Sequence, residues 1–153
     1  MIENSLKRTL QSGGTAIGTM VCDTRTPALA RALAVAGFDY FILDTEHGSY
    51  SLETVSDMMQ MARMSGIIPL VRVPDFNYPF IARTLDAGAM GVMVPRVKTR
   101  AQVEQIVAAA KYPPMGERGM MNARTNTDYR GMSIKEYGAR ANAETMVIVQ
   151  VET

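Results

Sequence analysis

Short, continuous apolar runs alternate along this chain with longer segments of helical periodicity, and this alternation constrains the fold more than any other feature. The runs DYFILD at 39–44 and IIPLVRV at 67–73 are apolar through most of their length, as strands covered on both faces are. The segments between such runs repeat apolar residues at helical spacing and end at a glycine, as at Gly37, Gly66 and Gly88. Repeated strand–helix units predict a parallel sheet in an α/β fold.

The pattern predicts five strands, over residues 16–22, 39–44, 67–73, 90–97 and 145–151. Helices are expected after Thr26-Pro27 and over 51–65, 77–87, 99–111 and 133–141, with a long polar loop over 113–132. A TIM (β/α)8 barrel takes about 250 residues and eight such units. We therefore expect residues 1–153 to be the N-terminal part of a single barrel domain, covering its first five strands and leaving an apolar edge that favours association. A five-stranded doubly wound sheet is the alternative.

Charge and cysteine content exclude several classes of protein. Lys and Arg total 16 against 15 Asp and Glu, so no basic excess predicts nucleic-acid binding. No apolar run approaches the roughly 20 residues of a membrane span, and residues 1–14 do not resemble a signal peptide. The single cysteine, Cys22, leaves no internal disulfide and fits a reducing compartment. A cytoplasmic protein is therefore expected.

Polar residues at the carboxyl ends of the strands are the candidate site, because reactive groups lie there in β/α barrels. The second predicted strand ends in Asp44-Thr45-Glu46-His47-Gly48, which contains the only histidine of the sequence. His47 can exchange a proton near neutral pH, and Asp44 could hold its imidazole by a hydrogen bond. Glu46 could ligate, pair or face solvent. The alternative interpretation is a solvated loop with an incidental histidine.

Two other strand ends carry candidates. Arg72 is flanked by valines in the third strand, and its guanidinium suits a carboxylate held at two points, in an anionic substrate or in a structural ion pair. Gln150 and Glu152 share one face of the fifth strand. If that face is the barrel interior, Glu152 offers an oxygen ligand to a cation such as Mg²⁺ or Mn²⁺; otherwise it is a surface acid. Arg96 is a weaker candidate for contact with an anion.

These motifs resemble those of the HpcH/HpaI family of metal-dependent class II pyruvate aldolases. The likeness runs along the whole chain, through ENSLK, AGFDYFILDTEHG, PLVRVP, DAGAMGVMVP, YPPMGERG and VQVET. It implies a TIM barrel and the retro-aldol cleavage of a 4-hydroxy-2-oxo acid to pyruvate and an aldehyde, with a divalent metal (Mg, Mn or Co) as cofactor. It also implies a homo-oligomer, which is hexameric in the family.

The resemblance further implies roles for single residues. His47 would be the catalytic histidine and Asp44 its partner, and Arg72 would stabilise the enolate of pyruvate. Gln150 would lie near the pyruvate carbonyl, and Glu152 would be the first metal-ligating carboxylate. The family's second metal carboxylate lies on the following strand, beyond residue 153. We therefore expect that residues 1–153 alone cannot sustain catalysis, because a metal site needs several ligands in fixed geometry.

Two other functions stay open. A related lyase of the citrate lyase beta-subunit type acts on acyl-CoA thioesters and would need further basic residues at the barrel mouth, for which Arg96, Arg100 and Arg118 are candidates. The other possibility is a partial barrel that binds or associates without catalysis. Metal-dependent release of pyruvate from a 4-hydroxy-2-oxo acid would separate these functions from the aldolase.

Overall fold

A parallel sheet of five strands forms the frame of the computed structural model, which describes residues 3–121 and 124–152. The strands are β1 (Gly18–Val21), β2 (Tyr40–Asp44), β3 (Ile68–Arg72), β4 (Gly91–Val94) and β5 (Met146–Val149). The α-helices within these residues are α1 (Ser5–Gln11), α2 (Ala28–Val35), α3 (Leu52–Ser65), α4 (Tyr78–Asp86), α5 (Arg100–Ala110) and α6 (Ile134–Glu144). None of the helices in this part of the chain has the length and apolar character needed to cross a membrane.

Strand order decides between the two folds that the sequence allows. Each strand pairs in parallel with the next one along the chain, in the order β1-β2-β3-β4-β5. A doubly wound sheet reverses its direction at a switch point, whereas successive right-handed crossovers in one direction wind a β/α barrel. The doubly wound alternative is therefore wrong, and the described residues form a five-stranded section of a barrel-type sheet.

The two faces of the sheet are covered differently. The outer face packs against the helices, and its contact consists of fully buried side chains, namely Phe41, Leu43, Val71 and Val92 from strands with Val55, Met58, Ile81 and Ile106 from helices. The inner face carries a smaller cluster in which Ile42 and Leu70 meet Leu6 of α1 and half-buried Ile148. Since side chains alternate along a strand, Asp44, Arg72 and Gln150 lie on this inner face, two residues beyond Ile42, Leu70 and Ile148.

Local capping signals account for most helix boundaries. A capping box starts α5, where the Thr99 side chain accepts from the Gln102 N–H and the Gln102 side chain accepts from the Thr99 N–H. Ser51 caps α3 by accepting a hydrogen bond from the Thr54 N–H, and Gly66 ends α3 with a φ of 77°, a left-handed conformation that glycine adopts without steric cost. The last helix is longer than expected, since α6 continues to Glu144 rather than ending at residue 141.

Helix α1 is not among the predicted elements, and its position depends on distant residues. Asn4 caps it locally, with Oδ1 accepting from the Lys7 N–H at 3.0 Å. The Asn4 side-chain amide donates to the Glu144 carbonyl at 2.9 Å and to the Met90 carbonyl at 3.2 Å. Asn4 is fully buried. The helix is therefore fixed under the amino ends of the strands by contacts that local sequence does not reveal.

Helix α6 is held to the end of α5 by a buried lysine. The Lys111 ammonium donates to the carbonyls of Asn142 and Thr145, each at 2.7 Å, where the end of a helix leaves carbonyl groups without partners. Burial, followed by the positive charges of Lys7 and Arg118, lowers the pKa of Lys111 to about 8. Lys111 therefore joins the end of α5 to the end of α6, and this contact removes its charged ammonium from water.

The predicted loop over 113–132 is largely irregular where the structure describes it, with a short 3₁₀ turn at Thr125–Thr127; residues 122–123 lie outside the described residues. Arg118 is buried, donates to Asp86 of α4 at 2.5 Å, and lies over the Tyr112 ring with its guanidinium carbon 4.5 Å from the ring centroid. Its role within this chain is therefore to anchor the loop to the helical layer.

Candidate active site

An ion pair joins the carboxyl ends of β2 and β3 on the inner face of the sheet. Asp44 and Arg72 are partners in the strand register. The Arg72 Nε and Nη2 groups donate to the two Asp44 carboxylate oxygens at 2.8 and 2.6 Å, in a fork that fits both groups. Asp44 is 1% exposed and Arg72 13% exposed. This hydrogen bonding lowers the pKa of the Asp44 carboxyl and raises that of the Arg72 guanidinium, so the pair stays charged.

Asp44 also shapes the turn that follows β2. Its Oδ1 accepts hydrogen bonds from the backbone N–H groups of Glu46 and His47, at 3.0 and 3.3 Å, as aspartates in turns often do. The turn is tight at Gly48, where a Cβ atom would collide with the backbone carbonyl oxygens of Asp44 and Cys22. The sequence D-T-E-H-G therefore fixes the backbone position of His47 through one carboxylate and one glycine.

Glu46 is the second acidic group of the site and lies between two arginines. Its carboxylate oxygens are 3.5 Å from the Arg72 Nε and 3.5 Å from the Arg96 Nε. The side chain is 11% exposed, so these ion pairs are partly screened from water. Of the three possibilities that the sequence leaves open for Glu46, the structure supports pairing, and it makes Glu46 the link between the ends of β2, β3 and β4.

His47 lies at the open side of this network. Its side chain is 72% exposed, and Nε2 is 3.9 Å from a Glu46 carboxylate oxygen. The hydrogen bond that the Asp44 carboxylate could accept from the imidazole is not found among the described contacts, in which Asp44 accepts from the His47 backbone N–H instead. The reason is that Arg72 and the backbone of the turn already occupy the Asp44 carboxylate. Asp44 thus orients Arg72 directly and His47 only through the turn.

The segment after β5 brings two more predicted residues to the same edge. Gln150 continues the pairing with β4, with its N–H donating to the Val94 carbonyl at 2.9 Å and its carbonyl accepting from the Val97 N–H at 3.0 Å. The Gln150 side-chain oxygen Oε1 is buried, with no hydrogen-bond partner among the described residues. The Glu152 Oε1 accepts from the Arg96 N–H at 3.1 Å. An unpartnered buried oxygen is unfavourable unless a ligand uses it.

Cys22 is a neighbour of the site that the sequence analysis did not assign to it. It follows β1 directly, is a free and exposed thiol, and its Sγ is 3.8 Å from Oδ2 of Asp44. The position of Cys22 directly after the first strand could have assigned it to the site, because the ends of neighbouring parallel strands meet at one edge. The end of β1 thus contributes a weak hydrogen-bond donor to the carboxylate that holds Arg72.

We call the strand-end residues Asp44, Glu46, Arg72, Arg96 and Glu152 the carboxyl rim. It contains three carboxylates and two guanidiniums, and the charges of Asp44 and Arg72 neutralise each other. Within residues 3–121 and 124–152, no group of three or more His, Cys, Asp or Glu side chains is arranged to hold a metal. The rim holds the Arg72 guanidinium in a fixed position, with the His47 imidazole near Glu46 at its open side, which suits the stabilisation of negative charge on a small oxygen-rich molecule.

The sequence is similar to proteins of one family along most of its length. The family model described as HpcH/HpaI aldolase/citrate lyase matches residues 19–153, a range that includes the whole carboxyl rim. The chain is 35% identical over 149 residues to the hydroxypyruvate/pyruvate aldolase of Roseobacter denitrificans, covering 97% of this chain and 57% of that protein. It is 36% identical over 153 residues to the 4-hydroxy-2-oxovalerate aldolase of Novosphingobium aromaticivorans, covering 98% and 56%.

The fold is shared with a solved structure. The crystal structure of the HpcH/HpaI aldolase from Desulfitobacterium hafniense DCB-2 superposes with a TM-score of 0.91 at 35% sequence identity. The match covers 96% of this chain and 56% of that chain. The chain therefore spans just over half the length of the relatives it matches.

Proposed function

Because the chain belongs to the HpcH/HpaI aldolase/citrate lyase family, we propose that this protein is a divalent-metal-dependent pyruvate aldolase. It would cleave a 4-hydroxy-2-oxo acid to pyruvate and an aldehyde. The observation that carries the proposal is the Arg72 guanidinium, held by two hydrogen bonds to Asp44 on the inner face of a barrel-type sheet. A cation fixed in this way is prepared for a charge that develops during a reaction.

Arg72 would stabilise the enolate that forms when the carbon–carbon bond breaks. Its two bonds to Asp44 use Nε and Nη2, which leaves Nη1 outside the fork. The electrons of the C3–C4 bond move onto the 2-oxo group, and the negative oxygen so formed is the charge that the guanidinium neutralises. Removal of one such donor in comparable sites costs about 3 kcal/mol of transition-state stabilisation. Protonation of the enolate at C3 then gives pyruvate.

His47 would accept the proton of the 4-hydroxyl group. As that proton leaves, the oxygen becomes the carbonyl of the departing aldehyde. The exposure of the imidazole supports this role, since a 72% exposed side chain is accessible to a substrate in the barrel mouth.

The rim fits a hard divalent cation such as Mg²⁺, Mn²⁺ or Co²⁺ by its donor chemistry. Glu152 would be the carboxylate ligand, and the unpartnered Gln150 Oε1 is an oxygen that faces the same edge. Within the described residues these donors are too few for a closed site, so further ligands would come from substrate, water and additional protein groups. When bound, such a cation supplies a Lewis acid that polarises the 2-oxo group.

The acyl-CoA lyase alternative is less well supported, because the basic residues it would use already have partners. Arg96 contacts Glu46, Arg100 pairs with Glu104 at 2.8 Å within α5, and Arg118 is buried against Asp86. Burial keeps Arg118 from a phosphate, and the exposed Arg96 and Arg100 would each have to exchange a carboxylate for one. We propose a 2-oxo acid and an aldehyde as the small-molecule partners, and a cytoplasmic homo-oligomer as the setting, in keeping with the free thiol of Cys22.

The test is pyruvate release from 4-hydroxy-2-oxo acids by the full-length protein, before and after exhaustive chelation. We expect activity that EDTA abolishes and that added Mg²⁺, Mn²⁺ or Co²⁺ restores. An acyl-CoA thioester supplied in parallel separates the alternative lyase. Full turnover after chelation, or inactivation by borohydride in the presence of pyruvate, would indicate a Schiff-base enzyme and contradict the proposal.

A further inference from the structure

Arg96 has an unusual backbone conformation at the end of β4. Its φ is +57°, in the left-handed region that residues with a side chain seldom adopt and that glycine or asparagine usually occupies. The residue follows Pro95 and precedes Val97, so it forms the turn that leads from β4 toward α5. Conformations of this kind persist where the surrounding contacts fix them, and they concentrate at functional sites.

The left-handed turn directs two consecutive backbone N–H groups at the segment after β5. The Arg96 N–H donates to the Glu152 Oε1 at 3.1 Å, and the Val97 N–H donates to the Gln150 carbonyl at 3.0 Å. Successive N–H groups that point to one side form a recognised site for a negative group. Here the two N–H groups bind different acceptors of the same chain, the Glu152 carboxylate and the Gln150 carbonyl, so the two bonds hold both ends of the segment 150–152.

The Arg96 side chain fixes the turn from the other direction. Its Nη2 donates to the Pro74 carbonyl, just beyond β3, at 2.7 Å. Its Nε is 3.5 Å from the Glu46 carboxylate that follows β2. Arg96 therefore connects the ends of four neighbouring strands. Its guanidinium reaches the residues that follow β2 and β3, the residue itself follows β4, and its N–H binds the segment after β5.

We propose that Arg96 is a positioning residue for Glu152, acting through its left-handed backbone. The inference rests on the proposed function, in which Glu152 ligates the divalent cation. A hydrogen bond to Oε1 limits rotation of the carboxylate, so that its remaining donor capacity is presented in a defined direction. Ligands oriented in this way bind a cation more tightly than free ones, because less motion is lost on binding.

The backbone of Arg96, rather than its guanidinium, accounts for most of the positioning of Glu152. The Arg96 side chain is 59% exposed, and exposed ion pairs contribute little. Substitutions that retain the N–H but differ in their tolerance of positive φ separate the two contributions. Arg96→Gly removes the guanidinium and keeps the left-handed turn, whereas Arg96→Val removes both.

The experiment measures Mn²⁺ affinity of the full-length protein by electron paramagnetic resonance of the free ion. We expect Arg96→Gly to bind within about fivefold of the wild type and Arg96→Val to bind at least about 10-fold more weakly. Arg96→Asn and Arg96→Ala should fall between them, in that order. Arg100→Val, at an arginine that is 92% exposed nearby on α5, is the matched control and should bind as the wild type does.

The outcomes are distinguishable. Equal affinity across the Arg96 series, or a loss in Arg96→Gly as large as in Arg96→Val, would overturn the backbone role while leaving the aldolase proposal intact. A wild-type protein that binds no Mn²⁺ would overturn the proposed function and this inference together. Near-ultraviolet circular dichroism of the metal-free variants identifies any that misfold, and in that event the order of the Asn, Ala and Gly variants still decides the question.

Discussion

Asp44 and Arg72 are register partners at the ends of adjacent strands, and their side chains form a two-bond fork that is almost completely buried. The same carboxylate accepts the backbone N–H groups of Glu46 and His47. One aspartate therefore sets the position of the proposed enolate-stabilising cation and the course of the turn that carries the proposed base. We therefore expect a substitution of Asp44 to disrupt both its ion pair with Arg72 and the turn that follows β2.

The first prediction concerns stability. We expect Asp44→Asn to lower the free energy of unfolding by about 3 kcal/mol, because it removes the negative charge of a buried pair and leaves Glu46, at 3.5 Å, as the carboxylate nearest to Arg72 among the described contacts. Urea denaturation of the purified protein measures this. Asp57→Asn, at an exposed acid on α3, is the control and should have little effect.

The same pair predicts a dependence on pH. The pKa of Asp44 is lowered in the folded protein, chiefly by the hydrogen bonds from Arg72. Its stabilising contribution is therefore fully present above the unfolded value of about 4 and is lost as pH falls through the lower, folded value. The stability difference between the wild type and Asp44→Asn should be constant near neutrality and shrink below about pH 4. A difference that stays unchanged in acid would contradict the assignment.

The second prediction concerns the planar, two-point hydrogen-bonding geometry of the Arg72 guanidinium. Arg72→Lys should reduce kcat by about 100-fold or more, since an ammonium cannot hold Asp44 at two points and also face an enolate. Steady-state pyruvate release is the measurement, with Arg100→Lys as the control for an exposed arginine. Retention of wild-type kcat in Arg72→Lys would remove the enolate role.

The third prediction separates catalysis from folding at His47. Because the side chain is 72% exposed, His47→Ala should change the free energy of unfolding by less than about 0.5 kcal/mol. Its kcat should nevertheless fall by about 100-fold or more if the imidazole moves the proton. Ser49→Ala, at an exposed neighbour, should leave both quantities as they are. A His47→Ala enzyme with normal turnover would require another base.

The fourth prediction concerns Lys111. Burial lowers the pKa of Lys111 to about 8 from the ordinary 10.5. The charged amine therefore destabilises the folded protein to the full extent below pH 8, and this destabilisation is relieved as pH rises from 8 toward 10.5. Between pH 7.5 and 9.5 the wild type should gain about 2 kcal/mol of stability relative to Lys111→Met. Lys135→Met, at an exposed lysine on α6, should show no relative gain. Parallel pH profiles for the wild type and Lys111→Met would contradict the buried charge.

The sequence was sufficient for features that depend on local chemistry. Apolar runs, caps such as Thr99 and terminal glycines such as Gly66 located the strands and helices to within a few residues. The placement of Asp44 and Arg72 at one edge followed from the strand-end rule, whereas the choice between a barrel and a doubly wound sheet needed the strand order of the structure. Their pairing depends on the register between β2 and β3, which no local pattern encodes.

Features that depend on tertiary context escaped the sequence. The sequence allowed a hydrogen bond between Asp44 and the His47 imidazole, but it could not show that Arg72 and the turn occupy the Asp44 carboxylate. The left-handed backbone at Arg96 gave no signal, since glycine and asparagine are the usual indicators of positive φ. Helix α1 was missed because its decisive partner, Glu144, lies 140 residues from Asn4.

The strand order has a consequence for how the chain is made. Each strand pairs with the one synthesised just before it, so every βα unit meets its neighbour as soon as both have left the ribosome, and the sheet grows in the direction of translation. Helix α1 is the exception, because Asn4 binds Glu144 and Met90. The contacts that fix helix α1 are therefore completed only after residues 140 positions further along the chain have been synthesised.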